Sequence, residues 1–198
     1  MTLESHSIIS LHDSANGSWH RKEVFEAAPE DFASLLLSHH RANYDLWHEE
    51  DEARSPDASD ATIATVKRSI DRLNQVRNDL VERIDLSLLN SATAQNQTSP
   101  LHSETPGLII DKLSILSLKI YHTQGEIHRL SATEDHRTDN LERERVLTQQ
   151  RTDLASCLDS LWEEVVRGTR RFKLYRQMKM YNDPALNPVL YTKRKDVS

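Results

Sequence analysis

The chain has 198 residues and a formal charge of −6, with four Gly, six Pro and one Cys. So few glycines and prolines exclude a turn-rich sheet protein, and a lone cysteine excludes an intramolecular disulfide framework, leaving one all-α domain in a reducing cytosol as the expectation. The opening MTLESHSIISLHDSANGSW lacks a basic n-region and an apolar h-region, and no later stretch approaches the roughly 20 apolar residues of a membrane span, so the reading is a soluble cytoplasmic protein without a membrane span.

Taken in order, residues 1–28 show no clear period and are expected to form an irregular N-terminal arm. Pro29, Glu30 and Asp31 suit a helix start, and a first helix is predicted to run to about Arg54. The turn SPDASD offers Asp57 and Ser59 as caps for a second helix ending near Leu89. Its stripe Ile63, Val66, Ile70, Leu73, Val76, Leu80, Ile84 has the three-and-four spacing of one buried face. Residues 90–107 read as the main loop. A third helix then carries Ile109, Leu113, Leu116, Ile120, Thr123, Ile127 and Leu130. The fourth starts near Asp139, passes Leu147, Leu154, Leu158, Leu161 and Val165, and is expected to bend near Gly168 and continue through Phe172, Tyr175 and Met178 before Asn182, Asp183 and Pro184. Cys157 is placed in the core.

Sliding the chain against itself by 74 residues aligns Trp47 with Tyr121, His48 with His122, Gln75 with Gln149, Arg77 with Arg151, Asp79 with Asp153 and Asp85 with Asp159, without a gap. The predicted architecture is therefore a helical bundle of two duplicated hairpins, residues 29–89 and 108–168, related by a pseudo-twofold, with a basic C-terminal extension over 169–198. From Arg167 onward nine Lys or Arg face two Asp, a local +7 that leaves −13 elsewhere. That balance makes nucleic acid an unexpected partner.

Chemistry is expected where the first helix departs from its repeat mate. His39, Asn43 and Glu50 fall where the third helix has Leu113, Ser117 and Gln124. Burying such groups unpaired costs on the order of 1–3 kcal/mol each, so they need partners or a ligand. The candidate binding residues are His40, Asn43, Trp47, His48, Asp51 and Arg54, facing Asn74, Arg77, Asp111 and Lys112; the alternative is a polar layer that fixes helix pairing. Arg77, with Asn43 and Asn74, is expected to be buried and bonded to other helices. A divalent metal is a candidate cofactor, with His48, Asp51, Glu82 and Asp85 as the residues that could hold it; a ferritin-like site is excluded because no Glu-x-x-His motif occurs. Asp111, Lys112 and Ser114 open a helix whose N-terminus could attract an anion. Arg170, Arg171, Lys173 and Arg176, interleaved with Phe172 and Tyr175, could bind an anion or partner, or pack back onto the acidic body as an amphipathic helix.

The runs NYDLWHEEDEAR, KRSIDRLNQVRNDLVERID, ETPGLIIDKLSILSLKIYH and YRQMKMYNDPALNPVLY resemble the bacterial family called domain of unknown function 4254, over roughly residues 30–191. The resemblance implies a cytosolic helical protein near glycosyltransferases of surface polysaccharide assembly and gives no reaction. The primary expectation is an accessory or ligand-binding module taking a small anionic ligand or a protein partner. The alternatives are a metal-dependent enzyme acting on a phosphate-containing substrate, similar to all-α nucleoside triphosphate pyrophosphatases, and a structural homo-oligomer.

Overall fold

The computed structural model describes residues 3–27, 31–92, 95–176, 178 and 185–189. These form five helices: α1 (Ser5–His20), α2 (Phe32–Ala53), α3 (Asp60–Ser91), α4 (Pro106–His128) and α5 (Glu134–Val166). The all-α expectation holds. Each of the last four helices begins at a side-chain cap that satisfies an otherwise orphaned amide. Asp31 accepts from Ser34 N, Ser59 from Thr62 N, Thr105 from Leu108 N and Thr133 from His136 N. Capping starts α5 at Glu134, a turn before the expected Asp139. Pro29 and Glu30 lie outside the described residues.

α2 lies along α3 and α4 along α5, as two hairpins. Asp85 of α3 accepts the Gly107 N–H at 2.7 Å and so fixes the start of α4. Asp159 of α5 fixes α1 in the same manner, accepting Ser5 N at 2.9 Å and Ser5 Oγ at 2.6 Å. The main core gathers Leu36, Ile84, Leu88, Ile109, Ile110, Leu113, Leu158, Leu161 and Trp162, closed by Leu3, Ile8 and Phe172. A second cluster, Leu46, Val66, Ile70 and Leu73, seals the far end of the first hairpin. Of the predicted α3 stripe, Val66, Ile70, Leu73, Leu80 and Ile84 are buried, whereas Ile63 and Val76 are exposed.

The N-terminal segment corrects the expected irregular arm. Residues 5–20 are a helix that packs on α2, α4 and α5, while α2 and α5 do not pack on each other. Its inner face is Ile8, His12, Ala15, Asn16 and Trp19, all buried. Two of those five are polar, which hides the helical period from a hydrophobicity reading.

The C-terminal segment corrects a second expectation. α5 stops at Val166 because Gly168 adopts φ +74°, and the Thr169 and Arg170 amides turn back to the Glu164 carbonyl. This glycine-centred termination satisfies orphan carbonyls and redirects the chain. Residues 169–176 run without helix, bridging at Arg171 to Leu101 and burying Phe172. Tyr175 and Met178 are exposed rather than on an inner stripe. The expected stop at Asn182, Asp183 and Pro184 lies outside the described residues. Cys157 is exposed on α5, not in the core, since the buried face of that helix passes through Leu154, Leu158 and Leu161. Leu130 is also exposed, because α4 ends at His128.

Candidate functional site

The polar positions of α2 are buried between α1 and α4. His39 and His40 are fully enclosed and Asn43 nearly so. One oxygen of Asp111 on α4 receives His39 Nε2 at 2.9 Å and Asn43 Nδ2 at 2.9 Å, with Arg77 Nε of α3 at 3.8 Å. Burial pushes the Asp111 carboxyl up, but the His39 and Asn43 hydrogen bonds and the Arg77 charge outweigh it and hold the group below the usual carboxylate range. Asn43 also donates to Ser114 Oγ at 3.0 Å. Arg77 is partly buried, at 27% side-chain exposure, and its enclosed Nε has no hydrogen-bond partner. Asn74 is half-buried and donates to Ile70 O on its own helix, not to another helix as expected.

Next to this network His40 bonds Ser114 Oγ through Nδ1 at 2.7 Å and Asn16 Oδ1 through Nε2 at 2.9 Å. Its other face stacks on His12, with centroids 4.3 Å apart, and on Trp19. Burial, aided by His39, lowers the His40 pKa to about 3, and burial takes His12 well below its ordinary value. Both rings are therefore neutral near pH 7. His40, expected to face a ligand, is instead a sealed member of the polar layer.

Beside this layer a cleft of about 360 Å³ opens between α2, α3 and α4, lined by Asn43, Leu46, Trp47, Glu50, Asp51, Arg54, Asn74, Arg77, Ile115 and Leu118. Six of the predicted residues converge there: Asn43, Trp47, Asp51, Arg54, Asn74 and Arg77. Asp111 stands behind them, bonded to Asn43. Arg54 is tied to Glu50 of its own helix.

A third arrangement joins α1, α2 and α4. His20, His48 and His122 each bring one ring nitrogen to within 4.8 Å of the other two. His20 Nδ1 meets Asn16 O and His48 Nδ1 meets Tyr44 O, both at 2.8 Å. Aromatic rings hold all three. Trp47 stacks on His122 at 4.6 Å and 5°, Tyr121 on His20 at 4.2 Å, and Tyr44 lies 4.3 Å from His48. Burial first, then the neighbouring His20 and His48, lowers the His122 pKa to about 4 against an opposing pull from Asp51.

Several candidates fall elsewhere. Lys112 is exposed and pairs with Glu104, away from the cleft. The helix N-terminus near Asp111 is no open anion site, because the Asp85 carboxylate occupies the Gly107 amide. Asp85 is thereby committed, and burial raises its pKa to about 6 despite the bonds to Thr105 and Gly107. Nor does the Glu82–Asp85 turn adjoin His48 and Asp51. Ser69 bonds Glu49 beside His48, and Asp85 lies a further sixteen residues, about 24 Å, along α3. Arg170 pairs with Glu164, and Arg171 Nε donates to Ser99 O, so these two cations bind the body rather than wait for an anion. Lys173 and Arg176 are exposed. Sequence reading missed all of α1: His12, Asn16 and His20 recur every four residues, a polar stripe that would have marked its inner face.

Fold and site define an all-α protein with a buried histidine-rich layer and an adjoining polar cleft. Residues 33–174 match the family described as protein of unknown function (DUF4254), to which the chain belongs. No curated protein and no solved structure gives a significant match. No helix among the described residues is long and apolar enough to cross a membrane.

Proposed function

We propose that the protein is a ligand-binding module whose cleft between α2, α3 and α4 takes a small, hydroxyl-rich ligand with one anionic or acceptor group. The observation that carries this is the convergence on one cleft of Arg77, whose Nε makes no hydrogen bond and stands 3.8 Å from Asp111, with Asn43, Asn74, Asp51 and Trp47. A guanidinium that is partly exposed and meets its carboxylate only at 3.8 Å keeps donors for an anionic or acceptor group on a ligand. Trp and carboxylate-amide pairs suit a sugar ring, which agrees with the link to surface glycan assembly in bacteria implied by the family resemblance. The enzyme alternative draws less support, because Glu82 and Asp85 are remote from His48 and Asp51. We also read the two hairpins as copies of one ancestral unit. In support, α4 and α5 start 74 residues after α2 and α3, at Pro106 against Phe32 and at Glu134 against Asp60. Asp85 and Asp159, equivalent in that offset, each fix the start of another helix.

Calorimetric titration with hexose phosphates and with inorganic phosphate tests the cleft. Saturable binding of a hexose phosphate is expected, weakened at least about tenfold in Arg77→Gln and in Trp47→Ala. Identical affinities in wild type and both variants, or no binding across the series, would remove the cleft as the site.

A further inference from the structure

We propose that His20, His48 and His122 form a binding site for a first-row transition-metal ion of the zinc class, with the fourth position open to solvent. The inference stands on the imidazole cluster and not on the cleft reading.

The tautomers carry the first step. A backbone carbonyl can only accept, so the contacts of His20 Nδ1 with Asn16 O and of His48 Nδ1 with Tyr44 O place a proton on each Nδ1. In the neutral rings the lone pair then lies on Nε2. A second bond from the non-ligating nitrogen to a carbonyl is the arrangement that orients metal-binding histidines and raises their basicity. His20 Nε2 and His122 Nε2 are both enclosed and bonded to no protein atom.

Geometry carries the second. The three rings come from the last residue of α1 and from the interiors of α2 and α4, so no pair shares a helix. Their ligand atoms lie within 4.8 Å, whereas a tetrahedral ion with bonds of about 2.0–2.1 Å needs them roughly 3.4 Å apart. Side-chain rotations of about an ångström close that gap. The stacked Trp47, Tyr121 and Tyr44 restrict the rings to such small movements. His48 is the exposed member, so the open side of the site faces solvent beside it.

Chemistry selects the ion. Three imidazoles suit zinc, nickel or copper, whereas magnesium and calcium require oxygen ligands. Asp51, one turn beyond His48 and close enough to act on His122, offers charge compensation.

The full-length chain, purified without a polyhistidine tag and stripped with a chelator, is titrated with zinc in competition with a chromogenic chelator, and separately with cobalt(II). We expect one zinc per chain, a cobalt spectrum with visible bands of four-coordinate nitrogen ligation, and no competition by millimolar magnesium. His48→Gln, whose ring is exposed and whose helix is kept, should lose roughly 100-fold or more in zinc affinity with an unchanged circular dichroism spectrum. His122→Gln should do the same, and His128→Gln, on the same helix outside the cluster, should bind as wild type. Failure of wild type to bind zinc or cobalt stoichiometrically, or full binding by both His48→Gln and His122→Gln, overturns the site. Zinc binding that survives Arg77→Gln separates this result from the fate of the cleft.

Discussion

At Asp111 a single carboxylate oxygen serves His39, Asn43 and, at longer range, Arg77. Asp111→Ala removes the acceptor from two enclosed donors and should cost about 3 kcal/mol in urea unfolding. Arg77→Ala should cost only about 1 kcal/mol, because the two shorter bonds remain and the guanidinium is partly solvated. Equal losses would mean that the arginine, not the His39–Asn43 pair, holds the carboxylate. Asp85 titrates with the opposite sign. Its folded pKa, about 6 against an ordinary 3.8, lies above the unfolded value, so its contribution is complete below about 3.8 and is lost as pH rises through about 6. Relative to Asp85→Asn, the wild type should therefore gain about 3 kcal/mol of stability between pH 8 and pH 3.5. A pH-independent difference between the two proteins would disprove the linkage.

At the scale of elements, the start of α4 depends on how closely it approaches α3. A Cβ on Gly107 would lie 2.8 Å from Asp85 Oδ1 and 2.8 Å from the Val81 carbonyl oxygen. Gly107→Ala should lower stability by roughly 1–3 kcal/mol, and Asp85→Ala should not rescue it, because the Val81 backbone remains in place. Rescue to wild-type stability would show that the carboxylate alone sets the clearance. The place of α1 can be tested as directly. Trp19 is buried against His40 and lies beneath the Arg41 guanidinium. Trp19→Ala should cost about 3 kcal/mol in thermal or urea unfolding. A loss below about 0.5 kcal/mol would return residues 5–20 to the role of a surface wrapping.

For the whole molecule, α1 and the segment after α5 close the same core from opposite ends of the chain. Leu3 and Ile8 meet Leu36, Leu158, Trp162 and Phe172 in one cluster. Gln95 locks the Phe172 backbone from both sides, accepting its amide at 2.9 Å and donating to its carbonyl at 3.2 Å. Phe172→Ala should thus cost about 3 kcal/mol, as a core phenylalanine does. If unfolding were unchanged, the basic segment would be an independent tail, and its arginines would again be free to serve a partner. α1 also breaks the even pairing that two hairpins alone would have, since it stands against α2, α4 and α5 while α2 and α5 stay apart.

Local and periodic features were legible in the sequence: the all-α class, the starts of α2 at Asp31 and of α3 at Ser59, the 74-residue offset and the unusual polarity of α2. Each depends on spacing within about one turn or on a repeat, which a linear string preserves. The gathering of Asn43, Trp47, Asp51, Arg54, Asn74 and Arg77 was legible too, because costly polar groups on an inward face demand company. Tertiary structure alone decided what that company is. His12, Asn16, Trp19 and His20 reach α2 and α4 only through the packing of α1, and a half-polar face carries no hydrophobic period to announce it. Likewise the anion-attracting start of α4 was filled by Asp85, 22 residues away in sequence, and the end of α5 was set by the left-handed turn at Gly168. Sequence spacing fixes which groups share a helix face; which faces meet, and so which imidazoles converge, is settled only by the packing of separate helices.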